Sequence, residues 1–226
     1  MCIRDRTCTD SRGLTGQGST QVTLENPPVD TKLEARLALH SIYFVVDHPR
    51  PTDLKGGLLP SQRKTLTALA TDFKKYLETK PDAHLILGGH ADHRGSVEYN
   101  QALSERRVNS TKSFLVAQGV PEANIEVKGF GKGDNLTTDQ VKDAVVNNPD
   151  LSTEERARIL KNIDVVRMAS NRRVDVTLST TGQTSTRVFP FNSTDALTLI
   201  GGRESEKKVA KPAPRKAAPK KPVKKP

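Results

Sequence analysis

One short stretch of this chain concentrates groups able to do chemistry. Gly89-His90-Ala91-Asp92-His93-Arg94-Gly95-Ser96 places an acid, two histidines, an arginine and two glycines between an apolar run and an amphipathic one. The amphipathic run continues as Tyr99-Asn100-Gln101-Ala102-Leu103-Ser104-Glu105-Arg106-Arg107. If it is helical, Asn100 and Arg107 share nearly one face, about 10 Å apart along the axis, while Arg106 lies about 100° around from Arg107. The backbone N–H groups of His93 to Val97 would be free at the helix start and suit an anion. Gly95 lets the backbone approach a bound group closely. By themselves Asp92 and Arg107 read as a plain ion pair between a loop and a helix.

Other chemistries are poorly served. His84, His90, Asp92 and His93 lack metal-ligand spacing, because His84 and His90 share a strand face while His93 sits in the loop. Gly129-Phe130-Gly131-Lys132-Gly133 lacks the G-x-x-x-x-G-K-[ST] pattern and reads as a turn. No motif places a Ser-His-Asp or Cys-His arrangement, and Glu154-Glu155 sit on an exposed helix start. The expectation is a non-enzyme with no metal and no cofactor.

The elements that must hold these residues follow from periodicity. Leu37 to Val46 reads as a strand with Ala38, His40, Ile42, Phe44 and Val46 on one face. Asp47 to Gly57, with two prolines and two glycines, is a loop. Pro60 opens a helix whose Leu66, Leu69, Ala70, Phe73 and Leu77 repeat at helical spacing until Lys80-Pro81. His84 to Gly89 is a strand. Ser96 caps a helix running to about Gln118, with Tyr99, Leu103, Phe114 and Leu115 as apolar positions and Gly119 as its stop. Ile125 to Phe130 is a third strand. Thr138–Asn147 and Thr153 to about Met168, capped by Ser152, are two further helices. Arg173–Leu178 is a fourth strand with Val174, Val176 and Leu178 inward. The order β-α-β-α-β-(αα)-β predicts an α+β fold of two layers, a mixed sheet covered by helices. A short strand pair is expected around Val188 and Leu197 to Ile200.

The rest of the chain is tail-like. Of 226 residues, 36 are basic and 26 acidic, but Lys207 to Pro226 hold nine of the basic ones and no acid. The remainder is therefore nearly neutral, 27 against 26, so the high isoelectric point describes a tail and not a binding surface. Residues 204–226, alternating Lys, Ala and Pro, cannot offset their ordering entropy and are expected to be disordered. No apolar run is long enough to span a membrane as a helix. Met1-Cys2-Ile3-Arg4-Asp5-Arg6 resembles the translation of a sequencing-library adapter and is read as an artefact ahead of a truncated gene. Residues 7–36 read as a linker, and Cys8 as a free thiol.

The segment from Gly89 to Arg107 closely resembles the signature of the OmpA-like family, G-H-x-D-x-x-G-S followed by Y-N-x-x-L-S-x-x-R. Ile42-Tyr43-Phe44, Gly129-Phe130-Gly131 and Asn171-Arg172-Arg173-Val174 match its other pieces. The resemblance covers about residues 38–179, with the domain placed at 37–180 and a short extension at 181–203. It implies non-covalent binding of peptidoglycan through the diaminopimelate of its stem peptides. The family's Asp on the loop and Arg fifteen residues later are Asp92 and Arg107 here, with Asn100, His93, Arg94 and Gly95 around them. Such a ligand carries an ammonium and a carboxylate on one carbon. Asp92 would accept from the first, and the Arg107 fork would match the second in two bonds. The implied place is the periplasm, at the outer membrane and cell wall, with outer-membrane lipid or a missing N-terminal anchor as a further partner. The alternative is a tail-driven binder of nucleic acid or another polyanion; it lacks aromatics for base stacking. Two departures from the family pattern stand out: a longer, proline-rich loop at 47–58 and a long excursion at 132–170.

Overall fold

The computed structural model describes residues 2–22, 37, 39–54, 56–187, 189–191 and 195–200. Residues 23–36 of the expected linker, Val188 and the basic tail 204–226 lie outside the described residues.

The near-N-terminal segment pairs with itself. β1 (Cys2–Thr9) and β2 (Thr15–Val22) form an antiparallel hairpin, which takes in residues 7–22 that composition suggested were linker. Its turn closes because Asp10 Oδ1 accepts from the N–H groups of Arg12 and Leu14, at 2.9 and 3.0 Å, an Asx-type turn that ends at Gly13 with φ +81°.

The remainder follows the expected order. β3 (Ile42–Tyr43), α1 (Pro60–Thr79), β4 (Leu85–Gly89), α2 (Val97–Ala117), β5 (Ile125–Gly129), α3 (Thr138–Val146), α4 (Thr153–Lys161), α5 (Ile163–Ser170), β6 (Arg173–Leu178) and α6 (Ala196–Ile200) follow in sequence. The sheet runs β3-β6-β4-β5. β6 is antiparallel to both neighbours, and β4 is parallel to β5, which makes the sheet mixed and the fold α+β. Leu85 and Leu87 of β4 pair with Leu178 and Val176 of β6, so the inward faces coincide. Together with Leu66, Leu69, Ala70, Phe73 and Tyr76 of α1 and Val108 and Leu115 of α2, they form the main core.

Three expectations need correction. The first strand is short and its early phase is reversed: Leu37 and Leu39 are buried and His40 is exposed. The phase shifts because residues 39–41 bond to Thr186, whereas Ile42 and Tyr43 pair with β6. Ser41 and Ile42 are then buried in succession, with Ser41 bonded to Asp175 and Ser185. Next, the helix expected to run to Met168 breaks at Asn162, where φ is −119° and ψ 31°. The Asn162 amide donates to the Arg158 carbonyl, the local bonding by which Asn competes with helix continuation. Last, Ala196–Ile200 is a helix and not a strand. Leu199 and Phe189 are buried against Tyr43 and Ala169 in a second apolar cluster. Phe189, Phe191, Leu199 and Ile200, past residue 180, are therefore packed into the domain.

Close contact of α2 with the sheet depends on glycines. A Cβ on Gly89 would lie 2.4 Å from the Ser104 carbonyl oxygen and 2.7 Å from Val108. The helix can sit this near the end of β4 only without that side chain, and Arg107 is thereby brought over the β4–α2 turn.

Candidate binding site

The β4–α2 turn is built by local bonds. Ser96 caps α2, its Oγ accepting from the Tyr99 N–H at 3.1 Å. Gly95 has φ +87°, a conformation that suits glycine. Asn100 is buried and its Nδ2 donates to the Arg94 carbonyl at 2.6 Å, tying helix to turn. Lys132 donates to the Gly95 carbonyl at 3.1 Å.

The turn forms one wall of a cavity of about 230 Å³. Asp92, Arg94, Gly95, Asn100 and Arg107 line it, joined by Tyr99, Leu103, Val46 and Asp47. Five of the six residues singled out in the sequence are thus brought together. His93 is exposed and is not among the lining residues.

Asp92 and Arg107 do not pair with each other. The Asp92 carboxylate takes Arg94 Nη2 at 2.6 Å and Nε at 3.1 Å, the Arg94 N–H at 3.1 Å, and Arg172 Nη1 at 3.4 Å. Burial pushes its pKa up, but the bonds from Arg94 and the charge of Arg172 outweigh that and hold it below the usual carboxylate value. It is an anion at neutral pH.

Arg107 is fully buried. Its Nε donates to the His48 carbonyl at 3.0 Å and its Nη1 to the His90 carbonyl at 2.7 Å. Its guanidinium carbon lies 5.6 Å from the centre of the Phe44 ring, within cation–π range. Nη2 is buried without a hydrogen-bond partner among the described residues. Burial first, and then the charge of Arg172, pull the Arg107 pKa down to about 9. It remains a cation at neutral pH, and its environment is short of negative charge.

Residues the sequence reading assigned no role complete the site. Arg172 is 2% exposed and donates to the carbonyls of Phe44 and Leu199 as well as to Asp92. Burial, only partly countered by Asp92, lowers its pKa to about 10. Its place in the Asn171-Arg172-Arg173-Val174 match was the available signal. On the rim, the Tyr99 hydroxyl donates to Asp47, a residue with φ +59°. Arg106 donates to the Pro49 carbonyl at 2.9 Å and stacks over Tyr99 at 5.8 Å. Arg106 and Arg107 thus hold the 47–50 loop from two sides.

On the other face of β6, Asp175 gathers Ser41, Arg173, Arg187 and His90 at 2.6 to 3.4 Å. That network accounts for His90, which also stacks on Phe130 with ring centres 5.2 Å apart. Among the described residues no group of three or more His, Cys, Asp or Glu is placed to hold a metal.

The arrangement defines an α+β domain with a charged cavity at the junction of a strand and a helix. Residues 55–149 match the model of the OmpA family. Over 107 residues it is 37% identical to a peptidoglycan-associated lipoprotein of Pseudomonas aeruginosa, covering 46% of this chain and 56% of that one. It is 36% identical over 83 residues to outer membrane protein A of Klebsiella aerogenes, covering 37% of this chain and 23% of that one. The chain thus spans little more than half of the first relative's length and less of the second's. A crystal structure of the peptidoglycan-associated lipoprotein from Burkholderia pseudomallei is similar at 23% identity and a TM-score of 0.43, covering 68% of this chain and 100% of that one.

Proposed function

We propose that this domain binds peptidoglycan without catalysis, holding the diaminopimelate of a stem peptide between Asp92 and Arg107. It would thereby tie the outer membrane, or an attached module, to the cell wall from the periplasmic side. The observation that carries the reading is Nη2 of Arg107, without a partner among the described residues and buried in the wall of a cavity that Asp92 also lines. A buried charged donor without an acceptor is costly, and a ligand carboxylate would supply one. Asp92 is the anion available to an ammonium on the same ligand carbon. The relatives, a peptidoglycan-associated lipoprotein among them, support the same class of ligand.

The test is co-sedimentation of the full chain with purified sacculi. Pelleting should persist at about 0.5 M salt, where exposed charges are screened, and should be competed away by free diaminopimelate. Pelleting that vanishes in salt and ignores diaminopimelate would assign binding to the basic tail and overturn the proposal.

A further inference from the structure

Asp92 holds two arginines that differ in kind. Arg172 is 2% exposed and anchored by two backbone carbonyls besides Asp92. Arg94 has a side chain 48% exposed, and among the described residues its guanidinium bonds to Asp92 alone. It nevertheless takes both carboxylate oxygens, Nε on Oδ1 at 3.1 Å and Nη2 on Oδ2 at 2.6 Å.

We infer that Arg94 is a built-in competitor, its guanidinium occupying on Asp92 the place that the ligand's ammonium takes, and leaving when the ligand binds. This deepens the peptidoglycan reading and rests on it. The backbone need not move. The Arg94 N–H stays on Asp92 Oδ1, and Asn100 stays on the Arg94 carbonyl. Only an exposed side chain swings out. The exchange replaces one cation by another, so Asp92 keeps two cationic partners throughout and Arg172 never loses its counter-charge. A ligand lacking the ammonium cannot make this trade, because displacing Arg94 would give it nothing in return. The contact therefore lowers affinity for every ligand that must displace it, as any competing closed state does, and favours those that bring their own cation. Arg107 stays in the cavity wall for the ligand's anion, and its own bonds do not involve Arg94.

The test titrates the full chain with free diaminopimelate by calorimetry, comparing wild type with Arg94→Ala and Arg94→Met. Removing an exposed competitor on one carboxylate should tighten binding about threefold to tenfold. Unchanged or weaker binding in either folded variant would overturn the inference. If the wild type itself fails to bind diaminopimelate, the underlying function fails instead. A readout without any substitution follows the Arg94 Nε–H by nuclear magnetic resonance in the wild type. At saturation its signal should move to the position of a solvent-exposed arginine. A signal that stays unshifted would show Arg94 still on Asp92 and the inference wrong, even if neither variant folds.

Discussion

Asp92 and Arg107 share one cavity without touching: the carboxylate is held by Arg94 and Arg172, and the guanidinium by the carbonyls of His48 and His90. A self-satisfied ion pair would have to be broken by any ligand. Here, among the described residues, one nitrogen of Arg107 is left open and one of the two cations on Asp92 is exposed. That arrangement is what the proposed zwitterionic ligand requires.

Arg107→Lys should weaken binding of free diaminopimelate by on the order of 2 kcal/mol, roughly thirtyfold. Lysine keeps the charge but cannot reach both backbone carbonyls and a ligand with one planar fork. Calorimetric titration decides it, and a change of less than about twofold would show that Arg107 is not the anion partner.

Arg106 lies around the helix from Arg107, but it is not idle. Its bond to the Pro49 carbonyl and its stacking on Tyr99 brace the cavity rim. Arg106→Ala should cost about 1 kcal/mol of binding through a looser loop, which is less than the Arg107→Lys loss. Equal losses from the two changes would mean that the two arginines act alike and that the direct contact was assigned to the wrong one.

Leu199→Ala should destabilise the fold by about 2–5 kcal/mol, the range for emptying a fully buried leucine site. Leu199 is 0% exposed and packs with Tyr43 and Phe189, and its carbonyl receives Arg172. Ending the chain at residue 180 should cost at least as much. Denaturant unfolding of the two variants measures this, and a wild-type midpoint in both would show the extension to be dispensable.

Much of this was legible in sequence where one period dominates. The Leu66–Phe73 spacing marked α1, the Val174, Val176, Leu178 alternation marked β6, and Ser96 and Ser152 marked helix starts that cap as expected. Of the six residues that the Gly89–Arg107 signature pointed to, five line one cavity. What stayed hidden depends on contacts across long separations. Thr186 resets the phase of residues 39–41, and Arg172 reaches Asp92 from 80 positions away. Alternation within one segment carries no trace of either. The 196–200 segment is too short for apolar content to separate helix from strand.

Acid should unfold the domain through its buried carboxylates. Burial raises the Asp175 pKa, but bonds from His90, Arg173 and Ser41 outweigh it and hold it below the usual value; Asp92 is likewise depressed. A depressed folded pKa contributes stability that is present above the unfolded value of about 3.9 and is lost as pH falls through the folded pKa. Asp175→Asn should therefore be less stable at neutral pH and lose less on acidification below about pH 4. Parallel stability curves for variant and wild type would contradict this.

The central claim is that Asp92 meets the ligand's ammonium directly. The most direct measurement is a double cycle by calorimetry. Wild type and Asp92→Asn are each titrated with a stem peptide ending in diaminopimelate and with the same peptide lacking that ammonium. The asparagine keeps the shape and one acceptor oxygen but removes the charge. Arg172 then loses its counter-charge, so the variant should also be less stable and must be titrated well below its unfolding temperature. Direct contact predicts a coupling energy of about 2 kcal/mol between Asp92 and the ammonium. A coupling within about 0.3 kcal/mol of zero, with both ligands weakened equally, would contradict it and leave Asp92 only the task of holding Arg94 and Arg172 in place.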